Sequence, residues 1–357
     1  MKCLYGKQEG AIVGYNPKKP GRPSHSYHSA LMANTRLALA VEVMAGNETA
    51  PLHNMPGIWA WLDALPKAAR PAVLRGDVAY GNEAVLREAE ARDQPYLTKL
   101  RLTKHVKDLI KKLFRHTGWA DAGQGWEARE SAIRLLGWQR ERRVVVLRRP
   151  IRGEMALADK AQQWLGFIEA QRGVTAYEHA VLITTLSAER FDLLMMAQLY
   201  RDRADCENGF DELKNQWGWG GYTTHDLGRC QLAAQAVALI YNWWNLYLRL
   251  IEPRKHLEAI TSRPLMLTAV ATASSHANQL HLRITPLHAF AAQAIRRLQA
   301  ISAQLKEWVR TAEQLPDTTA WQHICKQLSA ILLALNRLRC HFLPVPTLPK
   351  TAANCGF

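Results

Sequence analysis

The sequence predicts an α/β layered unit, interrupted by a β-rich basic insertion and followed by a helical C-terminal region. Three observations predict it. Up to residue 100, short apolar runs of strand type alternate with stretches of helical spacing. A middle stretch crowded with Lys, Arg and Trp then intervenes. From Arg190 onward, apolar residues recur at helical intervals almost to the end.

The first strands are expected between Ser26 and Ala45. Tyr27, Leu31, Leu37, Leu39, Val41 and Val43 supply the apolar positions there, and Asn34-Thr35 makes the turn. Before them, the prolines and glycine of Asn16-Pro-Lys-Lys-Pro-Gly-Arg-Pro23 forbid regular structure, so Tyr15 to Ser24 reads as a basic loop. Ile58 to Ala69 has helical spacing, and Ala72 to Leu74 reads as a strand ending at Arg75-Gly76-Asp77. Asn82 to Ala91 reads as a helix and Tyr96 to Leu100 as a strand. Such alternation defines layers of helix on sheet. In the basic middle, Val144 to Leu147 and Ala180 to Thr185 are strand-like, with Trp119, Trp126 and Trp138 interleaved among the cations. Basic charge with aromatics can grip phosphates and stack bases, or the rings can fill a small core. The long amphipathic stretches run near Phe191–Gln216, Leu232–Ile251, His288–Leu315 and Trp321–Leu338, and a loose tail is expected beyond Pro344. The expected boundaries are therefore 1–100 and 190–252 for the layered domain, 101–189 for the insertion and 253–357 for the helical region.

Bulk composition narrows the function. A chain of 357 residues with net charge +15 and pI near 9.7 is built to meet a polyanion, most often nucleic acid. The most apolar stretch, Leu232 to Leu250, is broken by Gln235, Asn242, Asn245 and Arg249, so no membrane span is expected. No basic-then-apolar leader is read either, and the expected location is the cytoplasm, beside the nucleoid. Six cysteines without a Cys-x-x-Cys pair read as reduced thiols; His323 with Cys325, and Cys340 with His341, lack a second pair to hold zinc.

The chemistry concentrates in Tyr200-Arg-Asp-Arg-Ala-Asp-Cys-Glu-Asn-Gly-Phe-Asp-Glu-Leu-Lys214. On one continuous helix turning about 100° per residue, with Tyr200 at zero, Arg203 falls near −60°, Glu207 near −20° and Lys214 near −40°. A carboxylate beside a phenol, a guanidinium and an ammonium suits a metal ion gripping a phosphate. An ordinary surface helix with an Arg203–Glu207 pair has the same pattern, so position matters. Asp77 ends a strand, where α/β proteins place site residues, and the basic insertion lies between Asp77 and Glu207.

This segment resembles the Tyr-(2)-Arg-(3)-Glu-(6)-Lys signature of the DDE transposases of bacterial insertion sequences. Tyr200, Arg203, Glu207 and Lys214 match it without a gap. Arg75-Gly76-Asp77 with Gly81 resembles the strand bearing that family's second Asp, and Lys2 to Ser26 the stretch after its first. The resemblance covers about residues 2–250. It implies an RNase H-like mixed sheet interrupted by a β-rich insertion, with Asp, Asp and Glu holding two Mg²⁺ or Mn²⁺ ions. It implies metal-dependent cleavage at transposon ends, strand transfer into target DNA, and a homodimer that joins two ends. Asp77 and Glu207 would be the catalytic metal ligands; Tyr200, Arg203 and Lys214 would contact DNA.

One part of the pattern is not in the chain. The family's first Asp belongs on a central strand just before Lys2, and no Asp precedes Asp63, which lies in an expected helix. The expectation is an N-terminally truncated transposase region that neither folds well nor transposes alone. Two alternatives stand beside it: an inactive DNA-binding protein that inhibits full-length transposase, and an RNase H-like nuclease of another role.

Overall fold

The computed structural model describes residues 1–330 apart from 17–18, 34, 115, 152–176, 223, 253–254, 267–270, 278, 286–289, 313–321, 323–325 and 328. The chain divides into two compact units, Met1–Leu239 and Ile240–Phe357. Among the described residues no helix is long and apolar enough to cross a membrane.

The first unit opens on a four-stranded antiparallel sheet of β1 (Lys2–Cys3), β2 (Ile12–Val13), β3 (Pro23–Leu31) and β4 (Ala38–Ala45). The two strands expected over 26–45 are β3 and β4. β3 starts inside the expected basic loop, at Pro23, because the first residue of a strand tolerates a missing N–H. His25 pairs with Lys2 on one edge of β3 and with Ala45 on the other. Beyond that point β4 continues alongside β3 to Leu31, whereas on the β1 edge Ser26 to Leu31 have no strand partner among the described residues. β4 has its backbone engaged by the Gln231 amide, which donates to the Val41 carbonyl (2.7 Å) and accepts from the Val43 N–H.

A second sheet has six strands in the order β5-β6-β10-β9-β8-β7: β5 (Leu74–Gly76), β6 (Tyr96–Lys99), β7 (Ala120–Asp121), β8 (Glu127–Ile133), β9 (Arg142–Pro150) and β10 (Tyr177–Thr184). β5 and β6 are parallel and the other pairs antiparallel, so the strands of the expected insertion extend the sheet begun before residue 100. β9 and β10 are buried on both faces, which is why they read as apolar runs rather than alternations. Val144, Val146, Val181 and Ile183 face a core built with α1 (Ala50–Ala64), α2 (Glu83–Ala91) and α3 (Lys104–Phe114). Val145, Leu147, Ala180 and Leu182 face another, built with Met196 and Ala197 of α4 (Leu193–Arg201). Helices therefore cover both faces of the sheet, a mixed α/β architecture.

Several boundaries differ from the sequence reading. α1 starts at Ala50, eight residues before the expected Ile58, because Pro51 sits in its first turn, where its absent N–H costs nothing. It ends at Ala64, since Leu65 precedes Pro66 and is held extended; Lys67–Ala69 is a separate 3-10 turn. β5 lies two residues later than Ala72. The basic stretch 104–114 is a helix, not part of a β-rich insertion: Val106, Ile110 and Leu113 are buried at helical spacing. Trp138 is buried in the first core, with Trp119 packed against that core and Trp126 against the other, so core filling accounts for the three rings.

The rest of the first unit is α4, α5 (Ala204–Asn215) and the beginning of α6 (Leu227–Ile251). In the second unit, Leu248, Leu265, Met266 and Ile301 form a core with α7 (Ala259–Met266) and α8 (Ala291–Ala312). The all-helical expectation fails between them, where β11 (Ala271–His276) and β12 (Gln279–Ile284) form an antiparallel hairpin. Their alternating polar residues have the two-residue period, hidden between longer helical stretches. The helix expected over Trp321–Leu338 and the tail beyond Pro344 fall largely or wholly outside the described residues, as do Cys325, Cys340 and His341.

Candidate functional site

Asp77 follows directly on β5, at the end of a strand, and is exposed. Its Oδ1 accepts from the Ala79 N–H (2.8 Å), which turns the chain back toward α2. Asn82 then caps α2, accepting from the Val85 N–H at 3.1 Å. The glycines that flank Asp77 are spatial necessities. A β-carbon on Gly76 would lie 2.8 Å from Tyr80 Cβ, and one on Gly81 would lie 2.4 Å from the Lys99 carbonyl oxygen of β6. The Arg-Gly-Asp…Gly pattern is thus a tight strand-to-helix turn that leaves one carboxylate exposed at its tip.

The signature segment is not one straight helix. α4 ends at Arg201 and α5 starts at Ala204, with bonds of i→i+3 type between them: Arg203 N–H to Tyr200 O (3.1 Å), Asp205 N–H to Asp202 O (3.2 Å) and Cys206 N–H to Arg203 O (2.9 Å). In such a 3-10 turn residues three apart eclipse. The single-helix stripe is corrected accordingly. Arg203 lies over the Tyr200 ring, 5.6 Å from its centre, rather than well to one side of it. One turn on, the Arg203 Nη2 donates to Glu207 Oε1 at 2.8 Å. Arg203 Nε is buried without a hydrogen-bond partner. Burial raises the Tyr200 phenol above its usual range; Arg203 opposes this, while the charges of Asp77 and Glu207 add to it. Both carboxylates therefore stand within electrostatic reach of one hydroxyl. Lys214 is exposed, and its ammonium meets none of these groups. It lies about two helical turns beyond Glu207, roughly 10 Å along the axis.

Two arginines that the sequence reading gave no role hold this segment to the sheets. Arg75, two residues before Asp77, is half-buried and donates to the Leu199 carbonyl at 2.7 Å. It thereby links the Asp77 strand to the residue before Tyr200. Arg36, in the β3–β4 turn, donates to Asp205 Oδ1 from both Nε (2.9 Å) and Nη2 (2.6 Å), and its Nη1 lies 3.8 Å from Glu212 Oε2. Arg75 stood beside a motif and could have been suspected. Nothing local marks Arg36, whose partner lies 169 residues away.

Among the described residues no three His, Cys, Asp or Glu side chains come together as a set of metal ligands. Asp77 and Glu207 are the hard oxygen donors that Mg²⁺ or Mn²⁺ prefers, both open to solvent. Cys3, Cys206 and Cys230 are free thiols.

A mixed α/β unit with a strand-end aspartate and a Tyr-Arg-Glu cluster at the α4–α5 turn defines a candidate site for phosphate chemistry. The family model of the transposase DDE domain matches residues 4–243, and the chain belongs to that family. No curated protein matches the chain. Membership supports a transposase function, implies a DNA substrate, and brings a general dependence on divalent metal. The match ends close to the boundary between the two compact units.

Proposed function

We propose that this chain is the catalytic region of an insertion-sequence transposase with an RNase H-like fold, in which Asp77 and Glu207 are two of three carboxylates that hold a pair of divalent metal ions. The reading is carried by one observation: Arg203 bonds Glu207 and lies over Tyr200, so that a carboxylate, a guanidinium and a phenol meet at the turn between α4 and α5. A guanidinium beside a phenol offers several donors suited to phosphate oxygens. Tyr200 and Arg203 then hold phosphate oxygens of a transposon end, with Lys214 further along the same backbone. Glu207 and Asp77 supply the negative charge that keeps a cation beside them. Bound there, such ions activate an attacking oxygen and stabilise a leaving one. Hydrolysis at the transposon end and joining of the freed 3′ end to target DNA complete the activity, within a homodimer.

The third carboxylate belongs on a further strand between β3 and β5. β3 has no partner along Ser26–Leu31 on its β1 edge, and β5 ends the six-stranded sheet with its other edge unpaired among the described residues. Buried polar atoms without hydrogen-bond partners lie along β3, at Ser24 Oγ, His25 Nδ1, His28 Nε2 and Ser29 Oγ, with one more, Thr98 Oγ1, on β6 beside β5. Two unpaired edges and a group of orphaned atoms fit a strand that joins both sheets.

The test is binding of transposon-end DNA by the Arg203→Ala variant. Affinity should fall, and the slope of log affinity against log salt should become shallower by about one. An unchanged slope would remove Arg203 from the phosphate.

A further inference from the structure

Most strand arginines of the basic middle are already neutralised within the fold. Arg142 lies between Glu83 and Glu90, with its Nε 2.7 Å from Glu90 Oε1. Burial pushes the Glu90 carboxyl up, but hydrogen bonds from Arg142, Arg140 and Tyr96 more than reverse this and hold it at about 2. Arg143 pairs with Glu130 (2.7 Å), Arg148 with Glu127 (2.6 Å) and Arg149 with Glu178. Arg148 is in addition stacked on Trp119, 4.0 Å from the ring centre, and on Tyr177 at 4.8 Å. Side chains held this way are poorly placed to meet a polyanion.

α3 is different. Arg101, Lys104, Lys107, Lys111 and Lys112 stand on or just before it against a single acid, Asp108. Arg101, Lys104, Lys107 and Lys112 make no ion pair among the described residues, and all but Lys107 are exposed. On the helix, Lys104, Lys107 and Lys112 fall within an arc of about 140°, opposite the buried Val106, Ile110 and Leu113. That apolar face is sunk in the core, so α3 cannot lay it on a membrane. The end of the helix is fixed as well, with Phe114 packed edge-on against Tyr177 at 5.7 Å and Arg148 over the Phe114 ring.

We infer that the lysine face of α3 is a docking surface for the phosphate backbone of duplex DNA. It is separate from the Tyr200–Arg203–Glu207 cluster, and the inference rests on the transposase reading for the identity of its partner. Lysines on flexible stems act as point charges on phosphates and carry no base readout. The surface adds affinity and register without sequence preference.

The test compares the parent chain with a Lys104→Ala/Lys107→Ala/Lys112→Ala variant on two duplexes, one with the terminal repeat and one of unrelated sequence. The slope of log affinity against log salt should become shallower by about two to three on both duplexes alike. The corresponding Lys→Arg variant should keep the parent slope, which separates charge from folding. Lys67→Ala, an exposed control outside α3 that pairs with Asp93, should change nothing. An unchanged slope in the alanine variant, with the parent binding normally, overturns the α3 surface and leaves the transposase reading intact. A slope lost equally in the arginine variant also overturns it. A parent that binds neither duplex overturns the DNA-handling reading, and the α3 surface with it.

Discussion

Replacing Glu207 by Gln in a protein that carries the full set of carboxylates should abolish strand cleavage while leaving end binding intact. Glutamine keeps the shape of the side chain and an oxygen that can still accept from Arg203, so α5 has no reason to move. What disappears is a full negative charge at a position where a divalent cation needs one. Losing one carboxylate ligand removes several kcal/mol of transition-state stabilisation, on the order of 10³-fold or more in rate. Cleavage of a labelled end duplex, run beside a binding titration of the same preparation, reads both quantities. Equal loss of binding and cutting would assign Glu207 to DNA contact; retained cutting would take it out of the metal site.

The second large effect is expected far from the signature in sequence. Arg36→Met should destabilise the first unit by about 2–3 kcal/mol, because it withdraws a guanidinium from the Glu212 carboxylate, which is 1% exposed, and from Asp205. The figure sits below that for a fully buried pair because Asp205 is 37% exposed. Arg36 also has φ of 57°, a left-handed backbone that a non-glycine residue adopts only when its surroundings hold it there. Its side chain is what the rest of the structure fixes. The midpoint of urea unfolding should fall without a change in slope, and Arg36→Lys should recover part of the loss. A change within about 0.5 kcal/mol, the range of an ordinary surface substitution, would mean that α5 is held by its apolar contacts alone. Because α5 carries Glu207, the same substitution in a protein that carries the full set of carboxylates should cut poorly even under conditions where it remains folded.

The layered architecture was legible because it rests on local periodicity. The apolar alternation of Tyr27 to Val43, the continuous run Val144–Leu147 and the spacing of Asn82–Ala91 each encode their element within a few residues. Misreadings arose where one signal masked another. Lysines at 104, 107, 111 and 112 hid the buried stripe of Val106, Ile110 and Leu113. The polar hairpin 271–284 lay between long helical stretches and was absorbed into them. The site was legible in composition and less so in geometry. Tyr200, Arg203 and Glu207 do meet, but through a 3-10 turn that an unbroken 100° period does not contain. Arg36 was illegible for a different reason. A salt bridge across 169 residues has no sequence period, and only the fold brings its partners together.

The central claim is that Asp77, at the end of β5, and Glu207, on α5, form part of a DNA-cutting centre that holds divalent metal. The most direct measurement is Mg²⁺-dependent cleavage of transposon-end DNA by the protein and by its Asp77→Asn and Glu207→Gln variants, with end binding followed on the same preparations. Cleavage by the parent only, with end binding kept in both variants, is the predicted result. Cleavage by either variant at the parent rate would contradict it, since that carboxylate would then have no part in holding the metal.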